Sequence, residues 1–196
     1  MCKLKQTMKK FFILIILAFG SNNIQAQKTI SLEAEGNLES PNPCECVELS
    51  KITNEHNPAD ILIGMGKCIE QKEFEKAAKL FAIAGVYGRY DSYRVKDKSA
   101  HQALLVLQQN ILMNISEEDK KEMISSLDNL FVRGSEALRT VCQSIQEVGI
   151  PKYYPKYMIQ HGIQAFIEKD GNGLIEDFNS EESWNLTLKN YLHCGE

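Results

Sequence analysis

The chain has 196 residues, with 22 basic and 26 acidic side chains and a formal net charge of −4. This length fits one domain, and an acidic surface repels a phosphate backbone, so we expect no nucleic-acid partner. No stretch after residue 26 is apolar enough to cross a membrane, so we expect no membrane span in the mature chain.

The first 26 residues have the pattern of a secretory signal peptide. Four lysines precede the apolar run 11–20, and the small residue Ala26 stands before the expected cleavage site. An uncleaved N-terminal anchor is the alternative. Because residues 1–26 contain four of the 22 bases and no acid, cleavage would leave 18 bases against 26 acids, a net charge of −8. We predict a periplasmic or secreted protein.

The remainder of the chain divides into an arm and a helical domain. Residues 27–43 are polar and have no hydrophobic period, which predicts a flexible N-terminal arm. In residues 44–196 apolar side chains recur at helical spacing, and alternating strand patterns are absent. This predicts a single all-α, irregular multi-helix domain of about six to eight helices. The expected helices cover 58–69, 73 onward, 97–114, 116–130, 135–148, 155–166 and a last one from 180.

The helix expected over 97–114 is apolar on all sides, which predicts that it is buried at the centre of the domain.

Residues 58–89 (PADILIGMGKCIEQKEFEKAAKLFAIAGVYGR) combine small and aromatic residues at helical spacing. The positions that carry this pattern are Ile61, Gly64, Met65, Cys68, Phe74, Ala77, Phe81 and Ala84. The segment resembles one tetratricopeptide or Sel1-like repeat, in which small residues let two antiparallel helices approach while aromatic side chains fill the seam. Such families mostly bind proteins and rarely catalyse, so the resemblance implies a helical hairpin and a protein partner.

Five cysteines follow the predicted cleavage site, and an exported protein is expected to form disulfides. They are Cys44, Cys46, Cys68, Cys142 and Cys194. The first two are too close for a common structural pair, so we expect one of them to bond Cys68 and Cys142 to bond Cys194, with one thiol left over. A zinc site that uses Cys44, Cys46, His193 and Cys194 is the alternative.

Tyrosine and arginine concentrate in residues 87–94 (YGRYDSYR) and in residues 151–157 (PKYYPKY). Both residue types are favoured at protein interfaces, and the two prolines stiffen the second segment. We predict a partner-binding surface made of Tyr87, Arg89, Tyr90, Tyr93, Arg94, Tyr153, Tyr154, Tyr157 and His161. The alternative is a tyrosine-lined packing seam in which the arginines pair with Asp91 and Asp97.

Residues 168–179 (EKDGNGLIEDFN) match the middle of a calcium-binding loop. With Gly173 at position 6, the oxygen ligands at positions 3, 5 and 9 would be Asp170, Asn172 and Glu176. The two ends lack the aspartate and the bidentate glutamate that close such a loop around the ion. We therefore predict a turn between helices, with no metal and no cofactor.

Sequence signatures of hydrolytic enzymes are absent from the chain, including G-x-S-x-G and H-E-x-x-H. We expect an exported protein-binding module that acts by scaffolding or occlusion, and an immunity protein against a periplasm-targeted bacterial toxin is its sharpest form. The alternatives are a cell-envelope enzyme that would use His101 and His161, and a glycan- or ligand-binding component of the envelope.

Overall fold

The computed structural model describes residues 33–167 and 171–195, so the predicted signal peptide lies outside the described residues. Within those ranges the chain has eight α-helices and no strand, which confirms the predicted all-α multi-helix domain. The helices are α1 (Pro58–Glu70), α2 (Phe74–Arg94), α3 (Ala103–Leu112), α4 (Glu117–Leu130), α5 (Glu136–Val148), α6 (Lys156–Ile159), α7 (Gln164–Ile167) and α8 (Ser180–Tyr191). Short 3-10 helices cover Leu49–Lys51 and Lys98–Gln102.

Local sequence signals explain how α1 begins. The Asn57 side chain accepts a hydrogen bond from the Asp60 N–H, and the Asp60 carboxylate accepts one from the Asn57 N–H, both at 2.9 Å. This reciprocal pair is a capping box, and Pro58 occupies the first helical position, where its missing N–H costs nothing. A short turn then leads into α2, which packs along α1.

The main core surrounds α2, with α1, α4, α5 and α8 packed around it. Its largest fully buried side chains include Ile61, Leu62, Met65, Leu80, Ile83, Tyr87, Tyr90, Met123 and Ile145. A smaller cluster lies at the carboxyl end of α2 and contains Val95, Ala100, Ala103, Tyr157 and Met158. Tyr153 and Leu107 pack against both clusters and therefore join them.

Gly64 makes room for the segment before α1, whereas the repeat resemblance implied that it faces α2. A Cβ at this position would lie 2.8 Å from the Cys44 Cβ and 2.8 Å from the Glu45 carbonyl oxygen. The Cys46–Cys68 disulfide joins the same segment to α1 one helical turn further along. Residues 44–46 are therefore held against α1 at two successive turns.

The prediction that residues 97–114 form one centrally buried helix is wrong. A 3-10 helix precedes α3, and only Ala103 of α3 is fully buried. Leu105 is 54% exposed and Met113, just after the helix, is 70% exposed. The physical reason is that α2 takes the central position, so α3 packs only one side against α1 and α2, with Ile111 next to Gly66 and Leu104 over Gly88.

The expected helix over 155–166 is interrupted between α6 and α7. At the break, the Asp97 carboxylate accepts a 2.9 Å hydrogen bond from the Gln164 N–H, and the Ser99 hydroxyl accepts a 2.9 Å bond from the preceding N–H. These side chains satisfy the free N–H groups of a new helical start, so the chain begins a second short helix rather than continuing the first.

Both expected cysteine pairings are confirmed. Cys46 bonds Cys68 with their Cα atoms 4.7 Å apart, and Cys142 bonds Cys194 at 5.7 Å. Among the described cysteines Cys44 is the one with a free thiol, and burial raises its pKa to about 11, with the nearby Asp60 carboxylate adding to the shift. Since two of the four zinc ligands in the alternative are oxidised, that site is incomplete, and no other group of metal ligands is found among the described residues.

The described part of the predicted flexible arm, residues 33–43, follows a fixed path against the helices. The Leu38 N–H donates to the Tyr157 carbonyl at 3.0 Å, and the Ser40 hydroxyl donates to the Asp60 carboxylate at 2.6 Å. The Asn57 amide donates to the Glu39 carbonyl at 3.0 Å. This differs from our expectation, because the buried Asp60 carboxylate and the cap of α1 offer the arm hydrogen-bonding partners.

Candidate functional site

Asp91 on α2 is the centre of a buried hydrogen-bond network. One carboxylate oxygen accepts bonds from the hydroxyls of Tyr153 and Tyr157, each at 2.8 Å. The other oxygen accepts from Arg94, whose Nε lies at 2.8 Å and whose Nη2 lies at 2.7 Å. A carboxylate with no solvent exposure needs partners of this kind, because an unpaired buried charge is costly.

Burial raises the pKa of the Asp91 carboxyl, while Arg94 and the two tyrosine hydroxyls favour its ionised form. Burial and the adjacent carboxylate also raise the pKa values of Tyr153 and Tyr157 well above the usual value, so both hydroxyls stay protonated and donate. The Asp91 carboxylate, the Arg94 guanidinium and the two tyrosine hydroxyls form hydrogen bonds with one another inside the protein. Their shifted pKa values therefore reflect structural roles rather than an accessible acid or base.

The same network fixes the path of residues 151–157, which we name the tyrosine loop. Arg94 donates through Nη2 to the Tyr153 carbonyl at 3.0 Å, and its guanidinium lies 5.1 Å from the centre of the Tyr153 ring. The Lys152 N–H donates to the Asn54 carbonyl at 2.8 Å. Hydrogen bonds to the rest of the domain therefore fix both ends of the loop, and Tyr154 between them remains 50% exposed.

Five of the nine predicted contact residues pack in the interior: Tyr87, Tyr90, Arg94, Tyr153 and Tyr157. The Tyr87 hydroxyl donates to the Gly149 carbonyl at 3.0 Å, and the Tyr90 ring meets the Trp184 ring edge-on at 6.0 Å. The expected surface is therefore corrected for these five residues, because the tyrosine rings pack in the interior and Arg94 pairs with the buried Asp91 carboxylate. The alternative interpretation, a tyrosine-lined packing seam, describes them.

The other four predicted residues reach the surface at three places, with Arg89 and Tyr93 together and Tyr154 and His161 each apart. The Arg89 guanidinium lies 5.1 Å from the centre of the Tyr93 ring, on the outer side of α2. His161 is half-buried, which lowers its pKa, and its Nδ1 lies 2.9 Å from the side-chain oxygen of Asn37 in the arm. Tyr154 alone of the four borders a cavity of the tyrosine loop.

That cavity has a volume of about 340 Å³ and lies between the arm and the tyrosine loop. We name it the Tyr154 groove. Its lining residues are Glu39, Pro41, Asn42, Glu55, Asn57, Tyr153, Tyr154, Lys156 and Tyr157. Only the tyrosine side of the groove is recognisable in the sequence. The opposite wall comes from polar residues without any periodic pattern, and their spatial neighbours could not be inferred from spacing.

Lys156 is held against the arm at the edge of the Tyr154 groove. Its Nζ lies 3.0 Å from the Glu39 carboxylate, and hydrogen bonding to that carboxylate raises its pKa. Its alkyl chain passes over Gly36, where a Cβ would collide with it. The groove therefore has one lysine already paired with one of its two carboxylates.

The stretch that resembles a calcium loop is a turn joined to the end of α2, as far as it is described. Asp170 lies outside the described residues. The Asn172 side chain accepts a 3.0 Å bond from the Leu174 N–H, and its carbonyl accepts a 2.7 Å bond from the Tyr154 hydroxyl. A single antiparallel bridge joins Leu174 to Val95, and Glu176 is exposed. The oxygen atoms of Asn172 are thus committed to contacts within the protein.

Comparison with known proteins reveals no family for this chain: no family model, no curated protein and no solved structure matches it. The resemblance of residues 58–89 to a helical repeat therefore rests on those residues alone. Among the described helices, none combines the length and the apolar character that crossing a membrane requires.

Proposed function

We propose that this protein is an exported binding module that recognises a partner protein through the Tyr154 groove. The observation that carries the proposal is the internal clamp, in which Asp91 and Arg94 fix Tyr153 and Tyr157 while Tyr154 stays half-exposed between them. A loop that is ordered before contact loses little conformational entropy on binding. An exposed tyrosine on such a loop has the properties of an interface anchor.

The two disulfides support an oxidising location, because such bonds persist outside the cytosol. Together with the signal-like pattern of residues 1–26, they favour the periplasm or the exterior. Binding at the Tyr154 groove would then scaffold or occlude a partner in that compartment. Occlusion of a periplasm-targeted toxin is the narrowest form of the proposal.

His101 and His161, the histidines of the enzyme alternative, support binding over catalysis. The His101 Nε2 lies 2.9 Å from the Val95 carbonyl, and His161 pairs with Asn37. Both imidazoles are thus engaged in contacts that hold the fold together, and neither lines the Tyr154 groove. An enzyme that used these two histidines would need one of them to face its substrate.

Site-specific photocrosslinking in the producing cells tests this proposal. A photoreactive amino acid would replace Tyr154 in one variant and Ile124, which is 57% exposed on α4, in a matched control. We expect a discrete protein adduct from position 154 and none of the same mass from position 124. The same adduct from both positions, or no adduct from position 154, would contradict recognition through the groove.

A further inference from the structure

We infer that the Tyr154 groove receives an arginine or lysine side chain, so that the protein selects a basic segment of its partner. The inference rests on the proposed function and adds the chemistry of the contact.

The groove wall has more negative than positive charge. Glu39 and Glu55 contribute two carboxylates, and Lys156 contributes one ammonium group. Because Lys156 already lies 3.0 Å from Glu39, it neutralises that carboxylate and leaves Glu55 as the excess charge. A guanidinium or ammonium group that enters the groove would neutralise the Glu55 carboxylate. An arginine can also form two parallel hydrogen bonds with a carboxylate.

The tyrosine side of the groove suits the rest of such a side chain. Tyr154 is half-exposed, and an aromatic face attracts a cation through its quadrupole. The apolar stem of arginine or lysine would lie against the ring while its charged head reaches the carboxylates. A volume of about 340 Å³ is near the lower end of the range of about 300–1,000 Å³ for small-molecule sites, which suits one or two side chains.

Long-range electrostatics favour the same class of partner. Residues 33–39 of the arm carry three glutamates and no base, and Glu39 among them borders the groove. If residues 1–26 are removed, the chain has 18 bases against 26 acids, a net charge of −8. Such a field steers a cationic partner toward the acidic face and repels an anionic one. A neutral glycan could also stack on Tyr154, but the excess charge would contribute nothing to its binding.

Calorimetric titration of the purified protein with three probes tests the inference. The probes are a short arginine-containing peptide, the same peptide with neutral citrulline in place of arginine, and a neutral oligosaccharide. We expect the arginine peptide to bind at least tenfold more tightly than the citrulline peptide, and more weakly as salt is raised. Equal affinity for the two peptides, or binding of the oligosaccharide alone, would overturn the inference.

Matched variants locate the contact. Glu55→Gln removes the excess charge at a surface position, and we expect it to weaken the arginine peptide at least fivefold. Glu147→Gln, an exposed change on α5, should leave the affinity unchanged. Equal effects of the two variants would place the peptide elsewhere. An adduct from position 154 in cells combined with no preference for arginine would refute the basic-segment inference alone, whereas loss of both signals would refute the groove as well.

Discussion

The Tyr157 hydroxyl donates a 2.8 Å hydrogen bond to the Asp91 carboxylate across 66 residues of sequence. The Tyr153 hydroxyl binds the same oxygen atom at 2.8 Å. One carboxylate on the central helix thus determines where the tyrosine loop lies. Because the loop forms one wall of the Tyr154 groove, the shape of the surface depends on a residue with no solvent exposure.

Asp91→Asn should destabilise the protein strongly. The amide keeps the size of the side chain but removes its charge, which leaves Arg94 buried without its counter-ion. Removing one partner of a buried pair costs about 3–5 kcal/mol. Urea unfolding followed by circular dichroism measures the loss.

A double-mutant cycle with Arg94→Met identifies the cause. If the charge pair is responsible, the double variant loses much less stability than the sum of the two single variants. Asp128→Asn, an exposed change on α4, is the control and should shift the free energy of unfolding by less than about 0.5 kcal/mol. Additive losses in the cycle would show that Asp91 and Arg94 act independently.

Gly64→Ala and Gly66→Ala should have opposite effects, although the two positions lie on the same helix. At Gly64 the new methyl group would meet the Glu45 carbonyl oxygen at 2.8 Å, and backbone cannot move aside cheaply. We expect a loss of about 1–3 kcal/mol. At Gly66 the nearest atom is a methyl carbon of Ile111 at 3.4 Å, so the higher helix propensity of alanine should make the change neutral or stabilising by up to about 1 kcal/mol.

Thermal unfolding of the two variants compares their stabilities, and we expect the lower melting temperature for Gly64→Ala. Equal melting temperatures would mean that residues 44–46 do not press against α1 in solution.

The hydrogen bonds that Asp97 makes at the start of α7 should stabilise the protein less at low pH. Burial raises the pKa of Asp97, but hydrogen bonds from the Gln164 N–H and from Ser99 outweigh it and bring the pKa below the usual 3.8. A lowered carboxyl pKa contributes stability that is present above about pH 4 and is lost as the pH falls through the folded-state value.

Asp97→Ala isolates this contribution. We expect the variant to be less stable than the parent by about 1 kcal/mol at neutral pH, as for the loss of a capping residue. The difference should shrink as the pH is lowered from 4 through the folded-state pKa of Asp97, since the parent then loses the same carboxylate. A difference that is independent of pH would exclude the ionised form of Asp97 as its source.

Cys44 should resist alkylation in the folded protein. Its pKa of about 11, against an ordinary 9.0, leaves about a hundredfold less thiolate at pH 8, and burial blocks the reagent as well. Mass spectrometry of the chain without residues 1–26, which removes Cys2, should show no label on the native protein after iodoacetamide treatment and one label after denaturation without reduction. A Ser50→Cys variant, at an exposed position six residues after Cys44 in the sequence, serves as the reactive control. Rapid labelling of Cys44 in the native protein would contradict its buried position.

The helices that could be predicted are those whose signals lie within one turn of sequence. Asn57, Ser116 and Ser135 each cap the helix that follows them, and apolar side chains at helical spacing mark the face that packs. These local signals located α1, α4 and α5 to within one or two residues.

The interior position of the tyrosines and the break after α6 could not be predicted, because both depend on distant partners. Tyr157 is buried because Asp91 offers it an acceptor, and helical spacing alone does not show which side of α2 faces inward. The second helical start at Gln164 depends on Asp97, 67 residues earlier. The tyrosine side of the Tyr154 groove was visible as a cluster, whereas its acidic wall comes from a segment that has no pattern.

The two disulfides differ in when they can close during synthesis. Cys46 and Cys68 are 22 residues apart, so this bond can form while most of the chain is still being made. Cys142 must wait for Cys194, 52 residues later. In a growing chain α5 would carry an open thiol for that interval, available to an oxidoreductase as a mixed disulfide. Each bond needs an external oxidant, but the bond between Cys142 and Cys194 would close last, so the carboxyl-terminal half would be the later part to be oxidised.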